Sequence, residues 1–145
     1  MKKLFYNYYK RHLLKREAKM RNWSEIRTIL ILTPQPVPDI EQELQQEGKK
    51  TWTVFLPGEK EVNWVGRPSP ELMDAAAIPV DLLIDLQQNE TLTGNYLTLA
   101  SAASLCIGRR REEEGLLDVM MDMPAGESVR PLYEQIRKYL RVING

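Results

Sequence analysis

Val80-Asp81-Leu82-Leu83-Ile84-Asp85-Leu86 is the stretch from which the fold is read. Its apolar residues run almost without interruption, as in a strand covered on both faces, and it is the strongest strand in the chain. A central place in a sheet is expected for it, with Asp81 at its exposed beginning. Moving towards the N-terminus, Thr51-Trp52-Thr53-Val54-Phe55-Leu56 is a second strand, closed by Pro57-Gly58. Before it, Arg27-Thr28-Ile29-Leu30-Ile31-Leu32 is short, continuous and β-branched. That strand runs into Thr33-Pro34-Gln35-Pro36-Val37-Pro38, where three prolines forbid both ladder pairing and helix.

Helices are expected between these strands. Asp39 can cap one through about Glu47, with Gln42 in capping-box position and Gly48 as the stop. Ser69-Pro70-Glu71 combines a cap, a proline at the first helical position and an early acid, and predicts a short helix ending near Ala77. Downstream of Leu86, a helix over Thr91–Ala103 places Leu92, Tyr96, Leu99 and Ala103 on one face, at a cost of about 1 kcal/mol for Gly94 relative to Ala. Leu105-Cys106-Ile107 and Leu117-Asp118-Val119-Met120-Met121-Asp122 read as two further strands. The last helix is predicted from near Pro131 to about Ile143, with Glu134 and Lys138 as an i,i+4 pair.

Strands alternating with helices imply a three-layer α/β domain. Its sheet is expected to have about five strands, mostly parallel, of Rossmann-like or flavodoxin-like type. Residues 24–145 form this single domain. Residues 1–23 are read as a separate basic amphipathic helix, with Leu4, Phe5, Tyr8, Tyr9, Leu13 and Met20 recurring at steps of three and four.

The formal net charge of zero, from 20 basic and 20 acidic residues, hides a split. Residues 1–21 hold eight Lys and Arg against Glu17 alone, a balance of +7, which leaves residues 22–145 at −7. No apolar run approaches the roughly 18 residues of a membrane-spanning helix, and the basic start lacks the apolar core of a secretory signal. One Cys and one His exclude an internal disulfide and a zinc site of the usual ligand set. The first β–α junction contains no glycine, so neither standard phosphate-binding loop is present, and no G-x-S-x-G elbow occurs. No cofactor is expected.

Ligands of open α/β sheets bind beyond the carboxyl ends of the strands. That rule selects Thr33 after the first strand, Asp85 and Gln87 at the third, Arg109 after the fourth and Asp122 after the fifth. If they converge, the carboxylates can act as base or metal ligand, and Arg109 can hold a phosphate or carboxylate. Arg109-Arg110-Arg111-Glu112-Glu113-Glu114 is expected to be a solvated, self-neutralising turn, with an anion hook as its functional version. Cys106, between Leu105 and Ile107, is expected to be an inert buried thiol.

Several of these segments, taken together, resemble a family of small α/β proteins from Bacteroidota with no assigned activity. They are the basic start, Asn63-Trp64-Val65-Gly66-Arg67-Pro68, the Val80–Leu86 strand, Ile107-Gly108-Arg109 and Leu117–Asp122. Asn63–Pro68 itself reads as a tight turn anchored by Trp64. A weaker resemblance links Asp81–Gln87 and Leu105–Gly108 to the amino-terminal half of heptosyltransferase-type glycosyltransferases. There, Thr33-Pro34-Gln35-Pro36 stands where that family's Gly-Asp pair would be, so the resemblance implies the class of fold and not the catalytic carboxylate.

The function expected from sequence is a non-enzymatic binding or interaction protein, cytoplasmic and peripheral to the inner membrane. Lys3, Lys10, Arg11, Lys15 and Arg16 would dock its basic helix on an anionic membrane surface, with a second copy of the chain as the other partner considered. Nucleic acid fits less well, because the domain itself is acidic. The alternative is a small-molecule-binding or glycosyltransferase-related enzyme built on the strand-end residues.

Overall fold

The computed structural model describes residues 22–56, 68–113, 115–123 and 128–143. The expected basic helix, with Lys3, Lys10, Arg11, Lys15 and Arg16, lies outside the described residues, as does most of the Asn63–Pro68 turn. The domain opens with a 3-10 turn, Trp23–Glu25. Five strands follow: β1 (Thr28–Thr33), β2 (Lys50–Phe55), β3 (Val80–Asp85), β4 (Ala103–Arg109) and β5 (Val119–Met121). The helices are α1 (Pro38–Gln46), α2 (Pro70–Ala76), α3 (Leu92–Ala100) and α4 (Val129–Ile143).

All five strands are parallel, in the order β2-β1-β3-β4-β5. This is the strand order of doubly wound sheets of the flavodoxin type, which reverse their direction of winding between β1 and β3. The Val80–Leu86 segment is therefore the middle strand, as its composition suggests. Its neighbours pair in register Ile31 with Ile84 on one side and Ile84 with Ile107 on the other.

Strand alternation divides the core into two layers. Ile29 and Ile31, Leu82 and Ile84, and Leu105 and Ile107 pack on Ile40 and Leu44 of α1 and on Leu132, Ile136 and Leu140 of α4. Leu30, Leu32, Leu83 and Cys106 face the opposite side, with Ala76 of α2 and Leu97 of α3. Cys106 is fully buried there. Trp23 joins the first layer.

Several element ends differ from the sequence reading, each for a local reason. Helix α3 stops at Ala100 rather than Ala103, because Ser101 is already extended and its hydroxyl accepts from the Ala103 amide at 3.0 Å. Ala103 then pairs with Val80, so tertiary pairing recruits a weak strand former into β4. Helix α4 starts at Val129, which places Pro131 inside its first turn, where no intrahelical donor is lost. Glu134 pairs backwards with Arg130 at 3.0 Å instead of forwards with Lys138. Asp81 is half-buried rather than exposed: its carboxylate accepts from the Arg27 and Thr28 amides at 2.8 and 3.2 Å, stapling β3 to the start of β1. Among the described residues, no helix is long and apolar enough to cross a membrane.

Candidate functional site

The carboxyl end of β3, at the point where the winding reverses, is the geometrically favoured ligand position. Two close backbone approaches shape it. Gly108 of β4 lies opposite Asp85, where a Cβ would stand 2.9 Å from the Asp85 Cβ. Gly94 of α3 lies under the Gln87 carboxamide, where a Cβ would come within 2.2 Å of Gln87 Nε2. The helix-weakening glycine noted in the sequence is thus the seat of the Gln87 side chain.

Onto that frame fold six polar side chains from four segments. Asp85, 2% exposed, forms an ion pair with Arg111, 5% exposed. Asp85 Oδ1 accepts from the Gln87 amide at 3.0 Å, and Oδ2 from Gln87 Nε2 at 2.8 Å. Thr91 donates its hydroxyl to Gln87 Oε1 and accepts from the Gly94 amide at 3.0 Å, so it caps α3 and fixes the amide together. Arg111 Nη1 donates to Asn95 Oδ1 and Thr98 Oγ1, each at 3.0 Å. Asp85 is therefore engaged by a cation and two N–H donors.

Glu90 closes the network from outside. It accepts from Asn95 Nδ2 at 2.8 Å and from the Glu112 and Glu113 amides at 2.7 and 3.3 Å. Partial burial raises the affinity of its carboxyl for a proton, but these donors, helped by the Arg111 charge, outweigh burial and hold the group below the usual carboxylate range.

The residues selected from the sequence meet only in part. Asp85 and Gln87 are in contact, and Arg109 lies beside them, donating through Nη1 to the Gln88 carbonyl at 3.0 Å while 92% buried as judged from its 8% exposure. Thr33 is fully buried at the end of β1, where its hydroxyl donates to the Gln35 carbonyl at 2.8 Å and shapes the proline-rich turn. Asp122 stands apart at the outer edge of the sheet, exposed, in an ion pair with Arg110. That cation holds the Asp122 carboxyl low by hydrogen bond and charge.

The arginine block is not a uniformly solvated turn. Arg109 and Arg111 are buried and Arg110 is exposed. Arg109 ends β4, and Arg111, two residues beyond the strand, turns its guanidinium to the α3 side, where Asp85, Asn95 and Thr98 receive it. Strand alternation does not predict that turn, so no pattern within the arginine block marks Arg111. Asn95 and Thr98, three apart on α3 and both buried, are the polar signal on the helix.

Two clefts border this network. One of about 130 Å³ is lined by Pro34, Leu56, Gln87, Gln88, Asn89, Thr91 and Thr93. The other, between Asp85, Glu90 and Arg109–Arg111, measures about 10 Å³. Small-molecule sites usually offer roughly 300–1,000 Å³, and a single water needs about 10–15 Å³. The second space is at the size of one water, and the first is too small for a nucleotide.

Against known proteins, the family of unknown function DUF6913 matches residues 42–143, which span β2 through α4. The chain belongs to that family. The matched region contains every member of the Asp85–Arg111 network, whereas β1 and the basic segment precede it. No curated protein and no solved structure matches the chain.

Proposed function

We propose that this member of DUF6913 is a non-enzymatic docking protein, in which basic segment 1–21 attaches an acidic α/β domain to an anionic membrane surface on the cytoplasmic side. The observation that carries the reading is the division of charge, +7 over residues 1–21 and −7 over the remainder. Polybasic segments gain about 1 kcal/mol per cation near an anionic leaflet, and aromatic residues such as Phe5 and Tyr9 add apolar contact. The strand-end chemistry supports the non-enzymatic half of the reading. Asp85, Gln87 and Arg111 are engaged with one another, and Asp122 pairs with Arg110 at a separate edge.

The test is co-sedimentation of the full chain with vesicles containing phosphatidylglycerol, beside a variant in which Lys3, Lys10, Arg11, Lys15 and Arg16 are all changed to Gln. Five cations at about 1 kcal/mol each predict up to roughly 4,000-fold weaker partitioning for the variant. Equal partitioning of the two proteins would sink the proposal. Light scattering on the same pair reads the other partner: a dimer that the substitutions dissociate, with no vesicle binding by either protein, would replace the membrane with a second copy of the chain.

A further inference from the structure

A further concavity lies away from the strand ends, between α1 and α4. It is a groove of about 920 Å³ whose walls include Glu47, Tyr133, Arg137, Lys138, Arg141 and Val142. Its carboxylates are already neutralised. Glu43 takes Arg130 at 2.6 and 2.9 Å, Glu134 takes Arg130 at 3.0 Å, and Glu47 takes Arg137 at 2.9 Å. Lys138 and Arg141, one turn apart and both exposed, have no such partner among the described residues.

Arg137 is the unusual member. It is 6% exposed, its guanidinium stacks 4.0 Å from the Trp23 ring centre, and Nη2 holds Glu47. Nη1 is buried without a hydrogen-bond partner among the described residues. A buried donor left unsatisfied is costly, and a guanidinium is built to offer its remaining N–H to a planar or tetrahedral oxyanion.

We infer that this groove is an oxyanion site, in which Arg137 Nη1, Lys138 and Arg141 take a phosphate or phosphate ester. Three donors within about one helical turn suit an anion with several charged oxygens better than a lone carboxylate. The site is independent of the docking role of residues 1–21. It adds an anion-binding face to the domain beside Trp23, the first residues after that segment.

The Trp23 indole N–H, which donates to Glu47 at 3.2 Å and lies under Arg137, is the reporter. Inorganic phosphate is titrated into the full chain at constant ionic strength, with acetate as the comparison anion, and the indole resonance is followed by NMR. The expected result is a saturable shift with phosphate and a linear drift with acetate. In the surface variant K138Q/R141Q, the phosphate concentration at half-saturation rises at least tenfold. In the variant with Lys3, Lys10, Arg11, Lys15 and Arg16 changed to Gln it is unchanged. No saturation, or equal saturation in K138Q/R141Q, would overturn the assignment. Loss of the shift in the five-residue variant would place the anion on the basic segment and would overturn it equally. Glycerol phosphate and phosphatidylglycerol vesicles, titrated in parallel, separate a free phosphate ester from a lipid headgroup.

Discussion

Replacing Arg111 with Met would leave Asp85 buried without its cation. The side chain removed makes the ion pair to Asp85 and two 3.0 Å hydrogen bonds to Asn95 and Thr98, in a site where both charged partners are at most 5% exposed. Breaking one side of such a pair costs about 3–5 kcal/mol, whereas an exposed pair is worth about 0–1 kcal/mol. A domain of this size has roughly 5–15 kcal/mol in total, so the substitution removes about a fifth or more of it. Urea unfolding should show a lower midpoint at unchanged slope. The companion change Asp85→Asn removes the charge that Arg111 balances. The double variant should therefore be about as stable as Arg111→Met alone, with a coupling of about 2 kcal/mol or more in the double-mutant cycle. A cost under 1 kcal/mol for Arg111→Met, or simple additivity, would refute the view that this network holds the sheet end together.

Other expectations follow from individual contacts. Gly94→Ala should destabilise by about 1–3 kcal/mol despite better helix propensity, because its Cβ would displace the Gln87 amide. In a Gln87→Ala background the same change should stabilise by up to about 1 kcal/mol, and urea midpoints would show the reversal of sign. Trp23→Ala removes a ring lying between Lys49 at 4.5 Å and Arg137 at 4.0 Å and should cost about 2–3 kcal/mol, read by thermal unfolding. Glu43 and Glu90 both have carboxyls held below their ordinary value of 4.5, Glu43 chiefly by its Arg130 hydrogen bond and Glu90 by donors that overcome its burial. Groups depressed in the folded state stabilise above the unfolded value and lose that contribution as pH falls through the folded one. Stability should therefore decline below about pH 4.5, and Glu90→Gln should flatten the decline in urea midpoints measured from pH 5 to pH 3.

How much of this was legible in the sequence depends on whether neighbours in the chain or neighbours in space decide it. Val80–Leu86 declares itself because branched apolar residues suit a strand covered on both faces, and Ser69 caps α2 through a bond three residues long. Ala103, Gly108 and Arg109 do not declare a strand, since β3 supplies the pairing for Ala103, β3 and β5 together for Gly108, and β5 for Arg109. The candidate site follows the same rule. Asp85 and Gln87 were visible as polar residues ending a strand, but the cation that balances Asp85 comes from 26 residues downstream, inside a block that reads as solvated. Asp122 was grouped with them because all strand ends look alike in sequence. Sheet order separates it, since β5 is an edge strand and β3 the centre.

The charge division remains the feature on which the functional account turns, and vesicle partitioning as a function of salt measures it most directly. The full chain should bind phosphatidylglycerol vesicles, lose that binding between about 50 mM and 500 mM salt as the charges are screened, and ignore zwitterionic vesicles. Binding that persists unchanged at high salt, or that the Lys3, Lys10, Arg11, Lys15 and Arg16 substitutions leave intact, would contradict the account.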